Sequence, residues 1–323
     1  MKRLMLSLVS MALFLNLAQA QNLTLAFETR GGIMFDDNPH FYADYLNLCV
    51  DAGLAPGLKF VWRQRFTKPL TGSQPLNATD MVYLDYKVGD WTFSAGKQVL
   101  QCGGFEYDAA PIDIHFSTEF YSHIECYQLG VSVARQLGDY ELVGQFCRSP
   151  YASMESAQNN ALKAFNLLFR GPYGSGGWIP LYSANLFEVT PGKYSFQFSL
   201  GNRFEITRSL AFELDFIGRS APGSLSLFRD MSAIAYVSII PVEWCEIMVK
   251  GTFDRNDLWD NPMVERGCSN FKVGLGAYFF PLKENKTVRL HCYYWHSSEG
   301  NFVQTGITWK PKLLNLDFAR KNN

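Results

Sequence analysis

The alternation of apolar and polar positions is clearest between Phe271 and His296. Phe271, Val273, Leu275, Ala277 and Phe279 share one parity; Lys272, Gly274, Gly276 and Tyr278 share the other. After the joining segment Pro281 to Lys286, Val288, Leu290, Cys292 and Tyr294 alternate with Arg289, His291, Tyr293 and Trp295. A period of two sends successive side chains to opposite faces of a strand. Each run therefore has one greasy face and one face of basic, His or small residues.

The same pattern recurs along the chain. Leu46, Leu48 and Val50 alternate with Asn47, Cys49 and Asp51; Leu58, Phe60 and Trp62 with Lys59, Val61, Arg63 and Arg65. Tyr194, Phe196, Phe198 and Leu200 alternate with Ser195, Gln197, Ser199 and Gly201. About sixteen such runs follow one another, each near the length a tilted strand needs to cross hydrocarbon. Trp178 to Phe187 is the weakest, and the last clear run is Gly300 to Trp309. No helical period of comparable length competes.

The connections alternate too. Tight joins fall near Gly57, Gly89, Gly138, Gly171, Arg208, Val242 and Asn285; long ones near Asp36, Leu70, Phe105, Ser153, Gly223 and Met263. Thr190 to Lys193 and Ser297 to Gly300 are short where long loops are expected. Short turns at one end and longer loops at the other are the habit of an outer-membrane barrel with an even strand number. The expected fold is all-β: a transmembrane antiparallel β-barrel of about 16 strands, greasy face to lipid and polar face to a wet lumen. A secreted, soluble β-rich binding or structural protein, with the greasy face as its core, is the alternative.

Composition supports the barrel. The chain is 47% hydrophobic and 15% aromatic, yet its mean hydropathy is only -0.08. Beyond the first residues there is no apolar run long enough for a membrane helix. Lys2 and Arg3, the apolar Leu4 to Leu15, and Ala18-Gln19-Ala20 make a signal peptide over residues 1–20, leaving 21–323 as the outer-membrane barrel. A net charge of -1 gives no reason to expect nucleic acid as a partner.

A charge on the lipid side costs a few kcal/mol at mid-membrane, so charged residues on the polar parity should line the lumen. By that rule the pore-lining cations are Lys59, Arg63, Arg65, Lys87, Arg203, Lys250, Lys272, Arg289 and Lys310. The acids are Asp85, Glu141, Glu213, Asp215, Glu246 and Asp254. The stretch Gln101 to Ser122 breaks the alternation and carries Glu106, Asp108, Asp113 and Glu119. Folded inward as a constriction loop, it sets these acids against the basic row Lys59, Arg63 and Arg65, a transverse field across a solute path.

Other chemistry is weakly signalled. The seven cysteines are scattered, with no metal spacing, and no cofactor is implied. Cys126 and Cys147, on the polar parity of neighbouring runs, are a candidate bridge, while Cys245 and Cys292 read as small apolar residues. His115 and His123 lie near Asp108 and Asp113 but read as solvated loop residues rather than a metal site. An outer-membrane enzyme would need His291 brought to a serine; no GxSxG occurs, and the expectation is a non-enzyme.

Tyr83-Leu84-Asp85-Tyr86-Lys87, the run Trp91 to Gln98, Tyr278-Phe279-Phe280-Pro281 and Val288-Arg289-Leu290-His291 resemble the phosphate-selective porin family in its Bacteroidetes-type form. The resemblance is one of pattern across most of the chain. It implies a sixteen-stranded, trimeric barrel in outer-membrane lipid that passes small hydrophilic solutes, anions such as phosphate among them. In that family inward Arg and Lys form an anion ladder; Lys59, Arg63 and Arg65 match it, while acids interrupt it elsewhere. Barrels of this kind end on an aromatic residue, whereas this chain continues past Trp309 to Asn323.

Overall fold

The computed structural model describes residues 21–68, 76–153, 162–172, 177–282 and 286–317. The expected signal peptide lies outside them. The strands are β1 (Asn22–Phe35), β2 (His40–Ala55), β3 (Leu58–Arg65), β4 (Thr79–Val88), β5 (Trp91–Val99), β6 (Tyr127–Leu137), β7 (Tyr140–Arg148) and β8 (Lys163–Arg170). They continue with β9 (Gly177–Thr190), β10 (Lys193–Thr207), β11 (Leu210–Arg219), β12 (Asp230–Val242), β13 (Cys245–Asn256), β14 (Cys268–Phe279), β15 (Val288–Ser297), β16 (Gly300–Trp309) and β17 (Lys312–Asp317).

Each strand pairs antiparallel with the next, and β1 closes the sheet by pairing with β2 on one side and with β16 and β17 on the other. The last two segments are one strand broken at Lys310-Pro311: Pro311 has no N–H to give a ladder, but its carbonyl accepts from Phe27 N–H. The wall is thus a closed barrel of 16 strands. The final strand runs eight residues beyond the sequence expectation, from Trp309 to Asp317, which brings it level with the start of β1.

The greasy parity faces outward. Phe271, Leu275 and Phe279 on β14 are exposed, as are Leu290 and Tyr294 on β15, Leu214 on β11 and Val131 on β6. Between them on the same strands, Tyr278, His291, Tyr293 and Trp295 are buried inside the wall. Closure gives each described strand of the wall a neighbour on both sides, a requirement for a sheet that sits in lipid.

At one end the wall turns tightly. Gly57, Gly89 and Gly138 take positive φ there, and a Cβ on Gly57 would run into the Lys87 carbonyl oxygen. At the other end the longest described connection, Leu100 to Cys126, leaves β5 and enters the barrel.

Candidate functional site: the loop inside the barrel

Three short turns give the inner loop its shape: helix α1 (Phe105–Asp108), a 3-10 turn at Pro111–Asp113 and helix α2 (Glu119–His123). Thr118 caps α2, its hydroxyl accepting from Tyr121 N–H. Three phenylalanines anchor the loop in separate apolar patches on the inner wall. Phe105 packs with Val143, Leu168, Ile179 and Leu181 of β7, β8 and β9. Phe116 packs with Met248, Tyr278, Tyr293 and Trp295 of β13, β14 and β15. Phe120, fully buried, joins Tyr107, Ile217 and Ile234, with Tyr151 and Met263 from two other loops. Each such ring is worth about 1.5–3 kcal/mol of burial. Part of the lumen is therefore dry, where the sequence alternation led us to expect water.

Wall cations clamp the loop at both side chains and carbonyls. Arg30 of β1 donates to the Ile112 and Ile114 carbonyls at 2.9 and 2.7 Å. Lys250 of β13 reaches the Glu106 carboxylate at 2.7 Å and the Phe116 carbonyl at 2.8 Å. Lys272 of β14 meets Glu119 at 2.8 Å and the Ser117 carbonyl at 3.1 Å. Asp113 lies between Arg289 of β15 and Lys310, with Lys310 Nζ 2.8 Å away. Burial pushes the Asp113 carboxyl up, but Arg289 and Lys310 outweigh it and hold it below the usual carboxylate range. Asp108 pairs with Arg170 of β8 at 2.6 Å.

The four loop acids thus meet cations from β8 and from β13 onward, not the row Lys59, Arg63 and Arg65 that the sequence suggested. Those three bond instead to Asp51 at 2.7 Å, Glu28 at 3.3 Å and Asp80 at 2.7 Å. The reason is register: β2–β3 and β3–β4 pairing supplies each with a carboxylate on an adjacent or nearby strand before the loop is reached. Arg203 pairs with Glu213 at 2.8 Å, and Asp85 accepts from Ser94 at 2.6 Å. Asp215 accepts from the Glu106 backbone N–H, fixing the start of α1. Glu246 accepts from Ser238, and Lys87 is exposed near the turn after β4.

Between loop and wall lies a cavity of ≈ 390 Å³ bounded by Glu106, Arg203, Glu213, Glu246, Tyr236 and Arg289. Sequence reasoning missed Arg30, although its parity with Thr24 and Glu28 marks it as inward. His115, expected in solvent, is buried in an aromatic cluster, stacked on Tyr293 with ring centroids 3.6 Å apart. His291 bonds to Tyr42 and Thr308, not to a serine nucleophile. All seven cysteines are free thiols. The candidate Cys126–Cys147 bridge fails on register: Cys147 pairs with Gly130, four residues past Cys126, or roughly 13 Å along the strand.

No family model and no curated protein sequence matches the chain. Solved structures share its fold. A loop-L8 deletion form of OmpT, an outer membrane protein of Vibrio cholerae, superposes with a TM-score of 0.64 at 12% identity, over 90% of this chain and 100% of that one. The trimer form of OmpT gives 0.63 at 10% identity, covering 90% and 98%. A mutant of the Rhodopseudomonas blastica porin gives 0.58 at 10% identity, covering 90% and 100%.

Proposed function

We propose that the chain is an outer-membrane porin through which small hydrophilic solutes diffuse passively, with the inner loop as its size limit. The observation that carries this reading is a closed wall, apolar outside, whose polar inner face is crossed by one loop held on several strands at once. A wall of sixteen strands encloses more space than its own side chains fill, and between loop and wall a cavity of ≈ 390 Å³ stays open. Lys59, Lys87, Asp85 and the Arg203–Glu213 pair line the solute path beside the loop acids. The likeness to a solved porin agrees with this reading, and the trimer form of OmpT supports a homotrimer.

The resemblance to phosphate-selective porins implies an anion path, but the ion pairs argue for neutral and cationic solutes. Of the nine cations on the inward parity, Lys59, Arg63, Arg65, Arg203, Lys250, Lys272, Arg289 and Lys310 each sit within ion-pair distance of a carboxylate. Lys87 alone of that set has no such partner among the described residues. Asp85, Asp215, Glu246 and Asp254 are the inward acids with no basic partner within ion-pair distance among the described residues; they accept from Ser94, Glu106 N–H, Ser238 and Ser232. An anion ladder needs unneutralised cations in sequence; wall carboxylates take up Lys59, Arg63, Arg65 and Arg203, and loop carboxylates take up Lys250, Lys272, Arg289 and Lys310.

Purified protein in a planar bilayer tests both statements. The expectation is stepwise conductance, with a reversal potential in a KCl gradient that shows a modest preference for K⁺. Absence of steps sinks the channel reading; a chloride preference sinks the charge reading alone.

A further inference from the structure

The tip of the inner loop carries a histidine pair that no part of the diffusion reading uses. His115, on the loop, faces His291 of β15 with ring centroids 4.8 Å apart. His115 Nδ1 lies 2.5 Å from the Gln304 amide oxygen of β16, and Nε2 lies 3.0 Å from the Tyr278 hydroxyl of β14. His291 Nε2 lies 2.6 Å from the Tyr42 hydroxyl of β2. Both rings are thus held by uncharged partners, and no carboxylate among the described residues bonds to either.

The charged groups around the pair are cationic or already engaged. Arg30 of β1 lies against the loop on one side, its guanidinium taken by Asp44 and by the Ile112 and Ile114 carbonyls. Arg289 of β15 lies over the Tyr278 ring at 4.2 Å, bound to Asp113, and Lys310 binds the same carboxylate. Tyr293 covers the face of His115. A proton added to either imidazole therefore meets another ring, two guanidiniums and no free anion. Burial first, then Arg30 and His291, hold His115 well below the ordinary histidine range.

The geometry points to a proton-operated latch: protonation of the His115–His291 pair undocks residues 111–117 from the β14–β16 wall and makes the constriction unsteady. A group that binds its proton less well when docked favours docking above its ordinary pKa and opposes it below. For histidine the docked population should fall by up to tenfold per pH unit and per ring, starting near pH ~6.5. The clamps on Ile112, Asp113 and Ile114 are contacts separate from the histidine pair, and they delay undocking.

Deuterium uptake of residues 111–117 and single-channel current are compared on the full chain at pH 7.5 and 4.5. At acid pH the wild type should gain at least tenfold in uptake beyond the chemical pH effect, and its current should gain a second, fluctuating level. His115→Gln keeps a side chain that bonds Tyr278 but takes no proton; it should lose both responses. His291→Gln should lose part of them. Wild-type uptake that does not change with pH overturns the latch, as does a full response in both variants. The current readout rests on the channel reading; if no current flows at any pH, that reading fails and uptake alone decides the latch. If His115→Gln does not fold, His291→Gln against wild type decides, an unchanged response counting against the proposal.

Discussion

Removing the Glu106 carboxylate should loosen the inner loop more than any other single change to its charges. The side chain is 1% exposed and accepts from Lys250 Nζ, from the Thr118 hydroxyl at 2.5 Å and from Thr118 N–H at 3.2 Å. In Glu106→Ala all three donors lose a partner. Lys250, itself only 14% exposed, keeps the Phe116 carbonyl alone. Taking one partner from a buried ion pair costs about 3–5 kcal/mol. The adjoining ≈ 390 Å³ cavity can admit water to the stranded ammonium, which places the loss near the lower end, about 3 kcal/mol. Glu106→Gln keeps an acceptor for Thr118 and should lose roughly half as much. Urea unfolding in lipid vesicles measures these losses, and a double-mutant cycle with Lys250→Met separates the pair from the rest. The double variant should be less destabilised than the sum of the singles by about 2 kcal/mol. A loop freed from β13 also leaves more of the lumen open, so single-channel conductance should rise. Glu106→Ala within about 0.5 kcal/mol of wild type, with unchanged conductance, would refute the clamp.

Phe120→Ala empties a fully buried site shared by the loop and the wall and should cost about 3–5 kcal/mol in the same unfolding assay. Gly306→Val places a side chain against the Gly31 carbonyl oxygen at the seam between β1 and β16, so the barrel should fail to close, seen as loss of heat-modifiable migration on a gel. Because Asp113 is held below the usual carboxylate range, its contribution to loop docking is present above pH ~3.9 and lost as pH falls through its lowered value. Asp113→Asn should therefore weaken docking at pH 7 but match wild type in strong acid, by deuterium uptake of the loop. Thiol titration in denaturant should find all seven cysteines reactive without reductant.

The wall was legible because lipid enforces a rule that the sequence must obey residue by residue. Phe271 to Phe279 and Val288 to Tyr294 show their outward faces directly, and strand boundaries followed from the loops between them. The interior was less legible because inward residues obey two rules. Where they meet water they are polar; where they meet the loop they can be apolar. That is why Trp178 to Phe187 reads as a weak run: Ile179, Leu181 and Phe187 point inward but are buried under the loop and its neighbours. His115 was misplaced for a related reason, since a loop residue read without its docking site looks solvated. Parity could have found Arg30; nothing local to Asp113 could have found Arg289 and Lys310 as its partners, more than a hundred residues away.

The three phenylalanine sockets also make the barrel mechanically lopsided. From β7 to β15 the wall is backed from within by three apolar clusters shared with the loop, so that arc resists bending by its own contacts. The arc from β2 to β5 is braced mainly by paired charges and by the lipid outside. Changes in bilayer thickness or tension should thus be absorbed on that thinner arc, flattening the channel from one side while the buttressed side keeps its shape.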